Sequence, residues 1–252
     1  MKRSYWLAGA LGLALGLFYF FPAALAARIQ TKLAPELQLY GVSGTLLHGR
    51  AAALQLRGLA LQNAEWDWHP LALLLARFSA DLRAEAQQRE LQGRIAVAPG
   101  GRLRLHDFTG LLDVAQVGPL AGMQWLPVEG QIDVVLNELR MKGRQPRHAE
   151  GRLALTGARW RLVQPPAALG DFNAELATED DQIVATLGSS PGQPLKLSGT
   201  AKLGEDGDYE VDLRLQPEAS AEPALINMLR GLGQPDAQGA YRLQLKGKLP
   251  GA

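Results

Sequence analysis

Alternation with a period of two is the feature that most restricts how this chain can fold. Phe78, Ala80, Leu82, Ala84 and Ala86 alternate with polar neighbours, as do Leu103 with Leu105 and Leu195 with Leu197. The pattern returns at Tyr209, Val211, Leu213 and Leu215, and at Tyr241, Leu243, Leu245, Gly247 and Leu249. Successive side chains of a strand point to opposite faces, so each run predicts a half-buried strand, one face apolar and one wet. Turn signals separate the runs: Pro99-Gly100-Gly101, Ser189-Ser190-Pro191-Gly192 and Asp206-Gly207-Asp208. Gaps this short leave no room for helical crossovers, so neighbouring strands must run antiparallel.

The strands come in two related sets. Residues 59–82 align without gaps onto 153–176, with 9 identities in 24 positions. Leu59-Ala60-Leu61 matches Leu153-Ala154-Leu155, and Ala64, Trp66 and Leu75 match Ala158, Trp160 and Leu169. Phe78, Ala80 and Leu82 match Phe172, Ala174 and Leu176. Leu71, Leu74, Leu75, Phe78 and Leu82 also fit helical spacing, but Pro165, Pro166 and Gly170 preclude a long helix in the second copy. Each copy therefore reads as strand, short turn of helix, strand. Upstream, Val42-Ser43-Gly44-Thr45-Leu46 resembles Val128-Glu129-Gly130-Gln131-Ile132 at an offset smaller by eight, which places an inserted, exposed loop around residues 143–148. The expected organisation is two β units, 41–118 and 119–252, sharing one continuous sheet. That sheet is curved, open like a groove or an incompletely closed barrel, with one or two short helices. Pro223 to Leu232, carrying Leu225, Met228, Leu229 and Leu232 and capped by Gly231 or Gly233, is one of them.

Ahead of the β units lies an apolar run, Tyr5 to Ala27, preceded by Lys2 and Arg3 and free of charge until Arg28. As a helix it spans roughly 33 Å, enough for a bilayer core. Trp6, Leu7, Leu11, Leu15, Phe18 and Phe21 are the anchor residues, with Trp6, Tyr19 and Phe20 near the interfaces. The basic pair keeps the tip in the cytoplasm and exports the rest. A cleavable signal peptide is the competing reading, because Ala24-Leu25-Ala26 suits a signal peptidase and Pro22 breaks the helix before it. Both readings export the chain. Residues 1–27 are thus a tip and anchor, and 28–40 a connector interrupted by Pro35.

Composition removes several chemistries. Lys and Arg total 26 against 25 Asp and Glu, so no global field favours nucleic acid, and the absence of cysteine excludes disulfides, thiol nucleophiles and thiolate metal sites. His48, His69, His106 and His148 are dispersed, without the i, i+3 or i, i+4 spacing of a two-histidine metal motif. Ser43 lacks the flanking glycine and following helix of a nucleophile elbow. Asp206-Gly207-Asp208 sits between alternating segments, as a hairpin turn does, and lacks the further ligands of a calcium loop. No phosphate-binding glycine motif is present. The expectation is a protein with no catalytic residues, no cofactor and no metal. Two contact surfaces remain. Arg140, Lys142, Arg144, Arg147 and His148 form a basic cluster, a solvated loop by default and otherwise a receiver of lipid phosphates or an acidic surface. Trp66 and Trp68 share a face, for packing or for a partner or lipid, and Trp160 repeats Trp66.

With these residues in view, the chain resembles the type II secretion system protein N family of Gram-negative bacteria. The resemblance is carried by the N-terminal apolar segment, by Gly41-Val42-Ser43-Gly44-Thr45-Leu46 with Gly49, and by Trp66-Asp67-Trp68-His69-Pro70-Leu71 with Leu74. It continues through Gly151 to Trp160, Pro194 to Gly199, Leu232-Gly233 and Gly239 to Gly247. Leu47 departs from it, since the family often places tryptophan after Gly-Thr-Leu. The resemblance implies an accessory inner-membrane protein of the machine that exports folded proteins. Its periplasmic domain is expected near the inner-membrane platform, in contact with other secretion subunits including the secretin. It also implies a likeness to open β-grooves that handle lipid. A non-enzymatic scaffold is the leading expectation, and a periplasmic lipid-binding or lipid-bridging domain the alternative.

Overall fold

The computed structural model describes residues 22–24, 37–56, 59–75, 77–87, 89–120, 127–143 and 145–248. The anchor residues Trp6, Leu7, Leu11, Leu15, Phe18 and Phe21 lie outside them, as does Arg144. No helix among the described residues is long and apolar enough to cross a membrane. Those residues are mainly β: fourteen antiparallel strands, two short α-helices and one 3-10 turn. The chain divides into two compact units, 1–94 and 95–252.

In the first unit β1 (Leu37–Tyr40) pairs with β3 (His48–Leu56), which also takes the short β2 (Ser43–Gly44). β4 (Leu59–Trp68) follows, then the 3-10 turn Pro70–Leu75 and β5 (Phe78–Ala86). The alternating run from Phe78 to Ala86 is this fifth strand. β6 (Arg89–Ala98) carries the division between the units.

The second unit holds β7 (Arg102–Asp113), helix α1 (Val114–Leu120), β8 (Val128–Lys142), β9 (Gln145–Trp160), β10 (Ala167–Glu179), β11 (Gln182–Ser189), β12 (Leu195–Leu203) and β13 (Asp208–Pro217). Helix α2 (Pro223–Arg230) and β14 (Tyr241–Lys248) complete it. Its strands pair in chain order. The repeat is kept as strand, turn, strand, but its joint differs: copy two closes with Trp160 opposite Ala167 and has no 3-10 turn there.

Residues 145–148 do not belong to an inserted loop. They open β9 near the tip of a long hairpin, with Lys142 opposite Gln145 and Arg140 opposite His148, so the extra residues of copy two lengthen β8 and β9. Pairing satisfies the backbone groups that a loop would leave to water.

Apolar residues share one face across this unit. Leu112, Ile132, Leu155 and Phe172 sit side by side, as do Gly110, Val134, Leu153, Ala174, Leu187, Gly199, Leu213 and Leu243. In β7 and β8 the apolar spacing slips from two to three, at Leu105–Phe108 and Leu136–Leu139. The β7–β8 ladder skips Asp107 (φ 50) and Asn137 together and keeps its register, whereas the β8–β9 register shifts at this point. A bulge adds one residue without moving the apolar set to the wet face.

The sheet bends hard. Cα atoms of the second-neighbour strands β9 and β11 approach within 8 Å, against about 9.6 Å in a flat sheet. Two glycines lie tight against adjacent strands: a Cβ on Gly151 (φ 153) would lie 2.3 Å from the Val135 carbonyl oxygen, and on Gly199 (φ 154) 2.2 Å from that of Asp212. Helix α2 starts at Pro223 and stops at Gly231, and it lays Leu225 and Leu229, one turn apart and both fully buried, over β10 and β13. Around them pack Ala158, Leu169, Leu195, Leu215 and Tyr241. Burying each leucine is worth about 1.5–3 kcal/mol.

Candidate functional site

The polar face of β7–β9 holds a charge array. His106, Glu138 and Glu150 lie side by side on the three strands. Two residues further along, Arg104, Arg140 and His148 form the next row, and beyond them Arg102 faces Lys142. Directly opposite side chains on an antiparallel pair are close neighbours, so like charges there repel.

Glu138, only 17% exposed, is the hub. Arg140 grips it with two hydrogen bonds, Nε to Oε1 at 2.7 Å and Nη2 to Oε2 at 2.8 Å. His106 Nε2 stands 3.8 Å from Oε1 and His148 Nε2 3.6 Å from Oε2, while His148 Nε2 is 3.3 Å from Glu150 Oε1. The Arg140 hydrogen bonds outweigh partial burial and hold the Glu138 carboxyl below the usual range, and the same contact raises Arg140. Among the described residues neither Arg104 nor Lys142 has a carboxylate within ion-pairing reach, and Arg102 Nε reaches only the Pro99 carbonyl at 3.4 Å.

The β13–β14 ladder of the same unit is built the opposite way. Lys246 meets Glu210 at 2.7 Å and Lys248 meets Asp208 at 3.8 Å, each directly across the strand pair. Arg242 clasps Asp212 with Nε at 2.9 Å and Nη2 at 2.5 Å, and Gln244 adds a hydrogen bond at 3.2 Å. Arg242 first, then Gln244, lowers the Asp212 carboxyl to about 2. Arg214 joins Asp236 at 2.7 Å. A cavity of about 600 Å³ beside this ladder is lined by those four charged residues, with Ser198, Thr200 and Tyr241, and each charge already has its partner.

The tryptophans belong to other parts of the chain, Trp66 and Trp68 to the first unit and Trp160 to the end of β9. Trp66 is half-buried against Gly49, where a Cβ would come 2.3 Å from its ring, and its indole N–H donates to the Leu46 carbonyl at 3.0 Å. Trp68 meets Phe78 edge to face at 5.6 Å. Trp160 packs against the cluster around Leu225 and Leu229. Of the predicted contact residues, Arg140 and Lys142 share one side of β8, while Trp66 and Trp68 take part in the packing of the first unit and Trp160 in that of the second. Arg102 and Arg104 were missed by sequence reasoning, because about 40 residues separate them from Arg140 and only the register unites them.

Other sequence candidates fall into ordinary structure. Ser43 pairs with Arg50 in β2. Asp206-Gly207-Asp208 closes the β12–β13 hairpin, with Gly204 N–H donating to Asp208 O at 2.8 Å. In the first unit His48 Nδ1 lies 2.7 Å from Asp67, and His69 Nε2 lies 2.9 Å from Asp81, which also accepts from Arg94 at 2.7 Å. Partial burial works to raise the Asp81 carboxyl, but the Arg94 and His69 hydrogen bonds prevail and lower it. Among the described residues no three His, Asp or Glu side chains are arranged to hold a metal ion.

Comparison with known proteins places the chain. A family model described as type II secretion system (T2SS), protein N matches residues 35–244. The chain is 29% identical over 228 residues to type II secretion system protein N of Vibrio cholerae serotype O1, covering 85% of this chain and 86% of that protein. It is 28% identical over 233 residues to the protein of the same name from Aeromonas hydrophila, covering 90% and 91%. No solved structure matches. A match across most of the chain, joined to a mainly β body, identifies this protein as a member of the type II secretion system protein N family.

Proposed function

We propose that this chain is a non-enzymatic accessory or scaffold component of a type II secretion system. It is held in the inner membrane by its N-terminal apolar segment, and its β body works in the periplasm by contact with other secretion subunits. The inner-membrane platform is the first of these and the secretin the second. The family match carries the reading. The charge array supports it, since cations without carboxylates, on an open strand face, suit a contact surface better than a reaction site. Pull-down of the tagged full chain from solubilised membranes should recover secretion subunits, and recovery of none would count against the reading. A C-terminal alkaline phosphatase fusion should be active if the body is periplasmic and inactive if it is cytoplasmic.

One observation favours a second reading, a lipid-binding or lipid-bridging domain. The apolar face of the second unit carries large side chains that α2 does not fully cover: Leu155, Phe172, Leu197 and Leu243 are partly buried, and Leu245 is 48% exposed. Native mass spectrometry of the full chain would then detect co-purified phospholipid at fixed stoichiometry. Its absence would leave the scaffold reading alone.

A further inference from the structure

The second unit pairs its charges carefully at β13–β14 and leaves them opposed at β7–β8. Arg104 faces Arg140 and Arg102 faces Lys142, on the same side of the ladder and two residues apart. Glu138 answers Arg140 alone, and among the described residues no carboxylate answers Arg104 or Lys142. Like charges directly opposite destabilise a ladder, and an anion bound between them would relieve that repulsion.

We propose that this face of β7–β8 is the docking surface for an acidic, extended segment of a partner protein. The inference rests on the scaffold reading above and gives it a place and a chemistry. The two rows stand about 6.8 Å apart along the strands, which is the spacing of alternate side chains in an extended chain. Arg102 and Arg104 offer planar forks suited to carboxylates, Lys142 adds a point charge, and the fork of Arg140 is taken by Glu138. A lipid surface fits less well. A hairpin tip that enters a membrane presents aromatic or apolar anchors, whereas the described tip residues are Met141, Lys142, Gly143, Gln145 and Pro146, with Met141 on the opposite side of the pleat from Lys142. The extension itself belongs only to the second copy of the repeat: from Trp160 the hairpin runs back to Val128, whereas from Trp66 it runs back only to Gly49.

The test uses the full chain in phosphatidylcholine nanodiscs and a labelled peptide of alternating glutamate and serine. Its controls are the glutamine version of the peptide and 3:1 phosphatidylcholine–phosphatidylglycerol vesicles. Wild type should bind the glutamate peptide, more weakly as salt rises, and the R104Q/K142Q double variant should lose about tenfold or more in affinity. The K246Q/K248Q variant, whose cations already have partners, should bind as wild type does. Thermal melts establish that each variant is folded, and R102Q, altering an exposed residue, repeats the test independently. Equal binding by wild type and R104Q/K142Q, equal binding of the glutamine peptide, or binding to vesicles without binding to the peptide would each overturn the proposal. Membrane pull-downs separate the two levels. If wild type and R104Q/K142Q recover secretion subunits alike, the docking surface fails and the scaffold reading stands; if wild type recovers none, both fail.

Discussion

At the β13–β14 end of the second unit, each cation named above has a carboxylate across the ladder or beside it, and α2 seats two leucines on the apolar face. At the β7–β8 end, in the same unit, cations face cations, and among the described residues one of them, Arg140, is held by a glutamate. Both ends are antiparallel ladders, and their side chains are matched differently. One end is balanced within the molecule; at the other, a bound anion would relieve the repulsion.

Substitutions at each end sharpen the contrast. The largest effect is expected at the covered end: Leu229→Ala should cost about 2–5 kcal/mol in urea unfolding. Leu139→Ala, at a half-buried site beside the basic rows, should cost clearly less. Next come the two glycines that lie tight against adjacent strands. Gly199→Ala and Gly151→Ala should each cost about 1–3 kcal/mol, since an added Cβ meets backbone that cannot give. A loss under about 0.5 kcal/mol at either would show that the adjacent strand gives way.

Much of this was legible in the sequence, and the remainder has physical reasons for having been hidden. Period two located β5, β12, β13 and β14, and Pro223 with Gly231 bounded α2. The register could not be read where the spacing slipped to three at Leu105–Phe108 and Leu136–Leu139, though that slip is itself the mark of a bulge. Residues 143–148 looked like a loop because Gly, Arg, Gln, Pro and His all favour exposed, irregular positions, yet from Gln145 on the chain pairs with β8 across the hairpin, and that pairing outweighed local preference. The basic cluster was visible as Arg140 and Lys142. Its other half, Arg102 and Arg104, became a neighbour only through strand pairing. The tryptophans repeat in sequence because they pack, Trp66 on Gly49 and Trp160 on the cluster beneath α2.

Acid provides a smaller, directional test of the paired end. Asp212 titrates near 2 in the folded protein against 3.8 for a free side chain. A lowered carboxyl adds stability that is present above about 3.8 and lost as pH falls through about 2. Asp212→Asn should therefore flatten the loss of stability between those limits in a pH series of melts. An unchanged slope would mean that Arg242 does not hold the carboxylate in solution.

The most direct measurement is the melting temperature of R104Q at low and at high salt. Removing one of two facing cations should leave it at or above wild type at low salt, a gain of at most about 1 kcal/mol. The difference should vanish at high ionic strength. A melting temperature clearly below wild type at low salt would mean that Arg104 already has its counter-charge within the protein, and that no external anion is called for.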